Sequence, residues 1–99
     1  MKKEMIGAQT RLVGLLEGHE LTVGMCVRVH GDHLIMGREA EHDAADPDDR
    51  VRLTRISAQT YGLSVKRHTG RWEQTPFSGT MSEMVETIRE FMQHLIAAR

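Results

Sequence analysis

Toward the C-terminus the apolar positions recur at helical spacing. In GTMSEMVETIREFMQHLIAAR, steps of about 100° bring Met81, Met84, Val85, Ile88, Phe91, Met92, Leu95 and Ile96 within an arc of about 140°. Glu83, Glu86, Thr87, Arg89, Glu90, Gln93 and His94 all fall outside it. The pattern predicts one amphipathic helix over residues 80–97. Thr80 and Glu83 stand at the spacing of a reciprocal capping box, with Gly79 loosening the approach, so the helix should begin near Met81. The methionines of the stripe read as core filler, because an unbranched thioether fits irregular gaps.

Between residues 20 and 78 the period changes from helical to two. In TVGMCVRVHGDHLIMGRE, Met25, Val27 and Val29 alternate with Cys26, Arg28 and His30, and Gly31-Asp32 supplies a two-residue hairpin turn with glycine first. Pairing about that turn sets His30 opposite His33, Val29 opposite Leu34 and Val27 opposite Met36. One hairpin face is then apolar, and the other carries Cys26, Arg28, His30, His33 and Ile35. RVRLTRIS and TYGLSVKRH form a second hairpin. An odd-numbered loop around Ala58 places Val51 and Leu53 beside Val65 and Leu63, and burial selects that register. A third turn at TGR would set Trp72 opposite His68. Pro76 cannot donate to a ladder, so the strand holding it should lie at an edge or end there.

The flanks are less regular. Met5, Ala8, Leu12, Leu15 and Leu16 have helical spacing with Gly18 as a stop, which favours an N-terminal helix over residues 1–18. Gly7 and Gly14 each weaken such a helix by roughly 1 kcal/mol relative to alanine, so a strand at TRLVGLL stays open for residues 4–17. The acidic stretch at residues 40–49 contains Pro47 but lacks the glycine and terminal glutamate of a calcium loop, and reads as a solvated connection. The expected architecture is a single α+β domain over residues 1–99. It is an antiparallel meander of about five strands, with one face covered by the C-terminal helix and by the N-terminal one.

Length and charge narrow the functional classes. A chain of 99 residues buries roughly 65% of the surface its unfolded form exposes, enough for a single thin core. A net charge of −1 gives no global pull toward nucleic acid or anionic membrane, so any charged partner must be met by a local patch. The single cysteine, Cys26, cannot close an intrachain disulfide, and MKKEMIGAQTRLVGLLEG lacks the apolar run of a signal peptide or membrane span. The default expectation is a soluble, cytoplasmic protein of bacterial type with no cofactor and no membrane partner.

Candidate chemistry is sparse. His30 and His33 flank the turn with β-carbons about 5 Å apart, which suits two imidazoles on one metal ion. Two ligands are too few for a site, and Cys26 lies about 13 Å back along the strand at ~3.3 Å per residue. The pair therefore reads first as a solvent-facing turn and only second as a metal or small-ligand site. Cys26 has Arg28 on its face but no adjacent histidine to serve as base, and reads as a small, half-buried sheet residue. The glycines are scattered singly, and neither a phosphate loop, a serine elbow nor a zinc-helix motif is present. No catalytic residue is assigned, and the chain reads as a non-enzyme.

Face assignment is more informative. If Val51, Leu53, Leu63 and Val65 point at the helix, then Arg50, Arg52, Ser64, Lys66 and His68 point away, together with Arg28, His30, His33 and Trp72. That outer face is basic, with one large aromatic and with Ile35 and Ile56 nearby. It reads either as a solvated face whose arginine and lysine stems cover the isoleucines, or as a partner surface built on Arg28, Arg52, Lys66, His68 and Trp72. Several antiparallel strands followed by a helix, with LSVKRHTGRWEQ as a basic aromatic hairpin ahead of it, resemble the sheet-plus-helix units of Whirly-type and positive-cofactor single-stranded-DNA-binding proteins. The resemblance is topological, spans residues 22–97 at most, and involves no shared motif. The leading expectation is a binding or assembly module acting as a homodimer, which buries the uncovered sheet face or an edge against a second copy. The alternative is single-stranded nucleic-acid binding by the outer face.

Overall fold

The computed structural model describes residues 3–38 and 48–96. Its elements are α1 (Lys3–Glu17), β1 (Met25–His30), β2 (His33–Arg38), β3 (Asp48–Arg55), β4 (Tyr61–Lys66), β5 (Trp72–Gly79), α2 (Met81–Phe91) and α3 (Gln93–Ile96). The five strands form one antiparallel sheet in the order β1-β2-β3-β4-β5. This is the expected α+β meander. The helices share one face of the sheet: α1 packs over β1, α2 over β4 and β5, and α3 against β3. No helix among the described residues is long and apolar enough to cross a membrane.

Burial settles the register, as the period-two pattern requires. His30 pairs with His33, Val29 with Leu34 and Val27 with Met36 around Gly31, whose φ of +61° a residue with a side chain rarely adopts. The loop between β3 and β4 spans residues 56–60 and is odd-numbered, setting Val51 against Val65 and Leu53 against Leu63. Leu34, Met36, Val51, Leu53 and Leu63 are fully buried beneath the helices. A slip of one residue would turn all of them to the opposite face.

Residues 4–17 are helical because the sheet supplies a partner for one stripe. Met5, Ala8, Leu12 and Leu16 are buried, while Gly7 and Gly14 lie on the exposed side. The helix ends through borrowed donors. Thr22 Oγ1 donates to Leu16 O at 2.6 Å, and Arg89 of α2 donates to Leu15 O and to Thr22 Oγ1. Residues 20–24, expected within the first strand, are turns instead, because Thr22 is drawn inward to this task.

The capping box forms as expected: Glu83 N donates to Thr80 Oγ1, and Thr80 N donates to Glu83 Oε1. A Cβ on Gly79 would lie 2.8 Å from that carboxylate oxygen, so the box requires glycine there. The C-terminal segment departs from expectation. It is two helices rather than one, broken at Met92 (φ −125°, ψ 25°). The break lets Met92 and Ile96 reach the core while Phe91, expected inside the stripe, is 64% exposed. Two sheet arginines hold the final turn: Arg38 Nε and Nη2 donate to Ile96 O, and Arg50 Nη1 donates to Leu95 O. Partial burial and the adjacent Arg50 push the Arg38 pKa down, an unfavourable pairing that the helix-end carbonyls offset.

Three further positions differ from expectation. The acidic connection at 40–49 falls outside the described residues as far as residue 47, but Asp48 and Asp49 already belong to β3. The register of β2 against β3 shifts between Met36 and Gly37, leaving Arg50 as the extra residue of a bulge. Arg50 therefore joins α3 instead of the outer face, and Asp49 stands opposite Gly37. The turn after β4 is longer than TGR, with Arg67 N donating to Arg71 O, so Trp72 pairs with Lys66 and not with His68.

Candidate functional site

The sheet carries the outer-face residues in cross-strand rows. Arg28, Ile35, Arg52, Ser64 and Gln74 form one row, His30, His33, Thr54, Gly62 and Ser78 the next, and Lys66 with Trp72 lies beside them. Of the five residues expected to form a partner surface, Arg28, Arg52, Lys66 and Trp72 share this face. His68 does not, lying exposed in the turn between β4 and β5.

Several of these cations already have a local partner. Arg28 Nη2 donates to Asp49 Oδ2 at 2.6 Å, a contact created by the bulge at Arg50. The Arg52 guanidinium lies over the Trp72 ring, 4.8 Å from its centroid, while Arg52 Nε is buried without a hydrogen-bond partner among the described residues. At the margin, Arg67 pairs with Glu73 at 3.3 Å, an exposed contact of little energetic weight. Ile35, set between Arg28 and Arg52 in its row, is only 6% exposed although it points away from the helices. Ile56 lies against Gly62 and stays exposed.

The turn of the opening hairpin has a definite geometry. His33 Nδ1 is hydrogen-bonded to Thr54 Oγ1 at 2.8 Å, and His30 is exposed on the other side of the turn. Among the described residues no group of three or more His, Cys, Asp or Glu side chains is placed to hold a metal ion. Burial, then Arg52 and His30, lower the His33 pKa from the usual 6.5, with Asp32 opposing them. A histidine whose folded pKa is depressed stabilises the fold fully above its unfolded value. That contribution is lost as pH falls from about 6.5 through the folded value. Denaturation midpoints should therefore drop more steeply between about pH 7 and pH 5 in the wild type than in His33→Asn. Parallel slopes would remove His33 as the cause.

Cys26 is an exposed free thiol near one sheet edge, where a half-buried residue was expected. At the opposite edge lies a feature the sequence pattern did not isolate. Phe77 of β5 and Phe91 at the end of α2 stack with centroids 6.0 Å apart and ring planes within 9°. Phe77 is 38% and Phe91 64% exposed, so the pair forms an apolar surface rather than core. Local structure explains the placement. Gln74 pairs with Ser64 and Ser78 with Gly62, leaving Thr75, Pro76 and Phe77 to bulge past Leu63, whose carbonyl accepts from Thr75 Oγ1. As expected for a strand holding Pro76, β5 is at the edge.

No protein-family model matches the chain, and neither a curated protein nor a solved structure matches it.

Proposed function

We propose that this chain is a non-enzymatic assembly module that binds a second copy of itself through the Phe77–Phe91 surface. The exposed aromatic stack carries this reading: the two phenylalanines of the chain meet in solvent at the sheet edge. An exposed aromatic pair is costly to hydrate. Opposing it to the same pair across a two-fold axis buries four rings at one self-complementary contact. The bulge and Pro76 blunt β5 against open-ended strand addition, which favours contact through side chains over a continuous intermolecular ladder. A cytoplasmic setting suits the exposed free thiol of Cys26.

Nucleic-acid binding by the outer face draws less support. Asp49 and Glu73 offset Arg28 and Arg67, and Arg52 already occupies one face of the Trp72 ring on which a base would stack.

Light scattering of the wild type across the micromolar range is expected to give the mass of two chains. Phe77→Ser with Phe91→Ser should raise the dimer dissociation constant at least about hundredfold, as loss of two central aromatic anchors does. Fold stability should change by only about 1 kcal/mol, because both rings are exposed in the single chain. A wild-type mass of one chain throughout that range overturns the proposal. Dissociation by Trp72→Ala with no effect of the phenylalanine changes would move the contact to the outer face.

A further inference from the structure

Away from both surfaces, two adjoining cavities of about 510 and 480 Å³ lie between α1, the β3–β4 loop and the start of α2, sharing Arg11, Ala58 and Tyr61. Each falls within the roughly 300–1,000 Å³ typical of small-molecule sites. The larger is lined by Leu15 and Met81 as apolar wall, with Gln59 and Ser82 at its polar side. Its charged group is Arg11, whose guanidinium Nη2 donates to the Tyr61 hydroxyl over a long 3.5 Å. Tyr61 is 2% exposed, so its phenol is a fixed polar atom at the base of the groove. The smaller cavity adds Arg55 and Glu4. Two guanidinium groups and one carboxylate thus line the smaller cavity.

Gly7 and Gly14 line it from α1. Glycine weakens a helix interior, yet a Cβ at either position would meet nothing within 4 Å. Packing within the chain therefore does not require glycine at these two sites. What their lack of side chains preserves is the open volume of the groove.

The geometry points to a binding site for a small organic carboxylate with a short, unbranched apolar stem. The carboxylate sits on the Arg11 guanidinium and accepts from the Tyr61 hydroxyl, while the stem lies along Gly14, Leu15 and Met81. One cation and a hydroxyl match a single negative charge, and the largely apolar wall matches a stem better than a bare inorganic anion.

The probes are hexanoate and its uncharged counterpart hexan-1-ol, titrated into the full chain while backbone amide chemical shifts are followed. Hexanoate should give saturable shifts at Gly14, Gln59 and Ser82, with a dissociation constant on the order of 1 mM or tighter. Hexan-1-ol should bind about tenfold more weakly, and Arg11→Gln should weaken hexanoate by a similar factor. Gly14→Leu should abolish binding by filling the groove, while Gly14→Ala keeps the fold at least as stable and weakens binding in part. The proposal is overturned if no saturable shift appears by about 20 mM hexanoate. It is equally overturned if hexan-1-ol binds as well as hexanoate, or if folded Gly14→Leu still binds. Light scattering of the same samples separates this site from the Phe77–Phe91 contact, since Phe77→Ser with Phe91→Ser should leave hexanoate binding unchanged.

Discussion

Ile88→Ala is expected to cost roughly 2–5 kcal/mol in chemical denaturation, a large share of the roughly 5–15 kcal/mol available to a domain. Ile88 is fully buried on α2, a helix that packs against β4, β5 and α1. Truncation leaves a cavity among elements fixed from three sides. The sheet is held by its ladder, α1 by its own stripe, and the C-terminal end of α2 by Arg89 on Leu15 O. A site that cannot collapse falls toward the upper part of the range. Ile88→Val should lose only about 0.5–1.5 kcal/mol, and Glu90→Ala on the exposed side should stay within about 0.5 kcal/mol. A loss below about 0.5 kcal/mol for Ile88→Ala would mean that α2 does not pack on the sheet through this stripe.

Phe91 and Ile88 belong to one apolar arc, yet only one is buried. Three residues along a helix turn about 300°, so Phe91 lies about 60° to one side of Ile88, at the margin of the stripe. The width of the arc was legible in the sequence. How much of it the sheet covers was not, because coverage depends on where the edge strand stops. Register was legible wherever burial and turn chemistry agreed, at Gly31-Asp32 and in the odd loop around Ala58.

The bulge at Arg50 leaves no compositional trace, since one extra residue in a strand changes neither hydropathy nor charge. Its consequence is nonetheless electrostatic: Arg50 leaves the outer face and Asp49 pairs with Arg28, making that face less basic than simple alternation implies. Trp72 kept its face but not its partner, because a turn lengthened by an even number of residues preserves parity while shifting register. The Arg11–Tyr61 groove joins residues 50 positions apart, and no local pattern brings them together.

Arg38→Met should cost about 2–3 kcal/mol, the largest effect expected of any change outside the apolar core. The Arg38 guanidinium joins three separate carbonyls. Nη1 donates to Val23 O at 2.6 Å, Nη2 to Leu21 O at 2.8 Å, and Nε with Nη2 to Ile96 O at 3.0 and 2.6 Å. It thus fastens the connection after α1 and the last turn of α3 to β2 at one point. Charge-assisted bonds contribute about 1.5–3 kcal/mol where partly shielded, and Val23 and its surroundings are open to water, so the sum stays well below four independent bonds. Methionine keeps much of the stem's packing and isolates the loss of the donors. Arg38→Lys should recover less than half of it, because a single ammonium cannot reach carbonyls on two sides as a planar fork does. Hydrogen exchange gives the local readout. Protection should fall at the described amides of residues 20–25 and 93–96, and hold at Leu34 and Leu63, if Arg38 fastens these two segments. A uniform fall across the sheet would instead show that the arginine supports the fold as a whole.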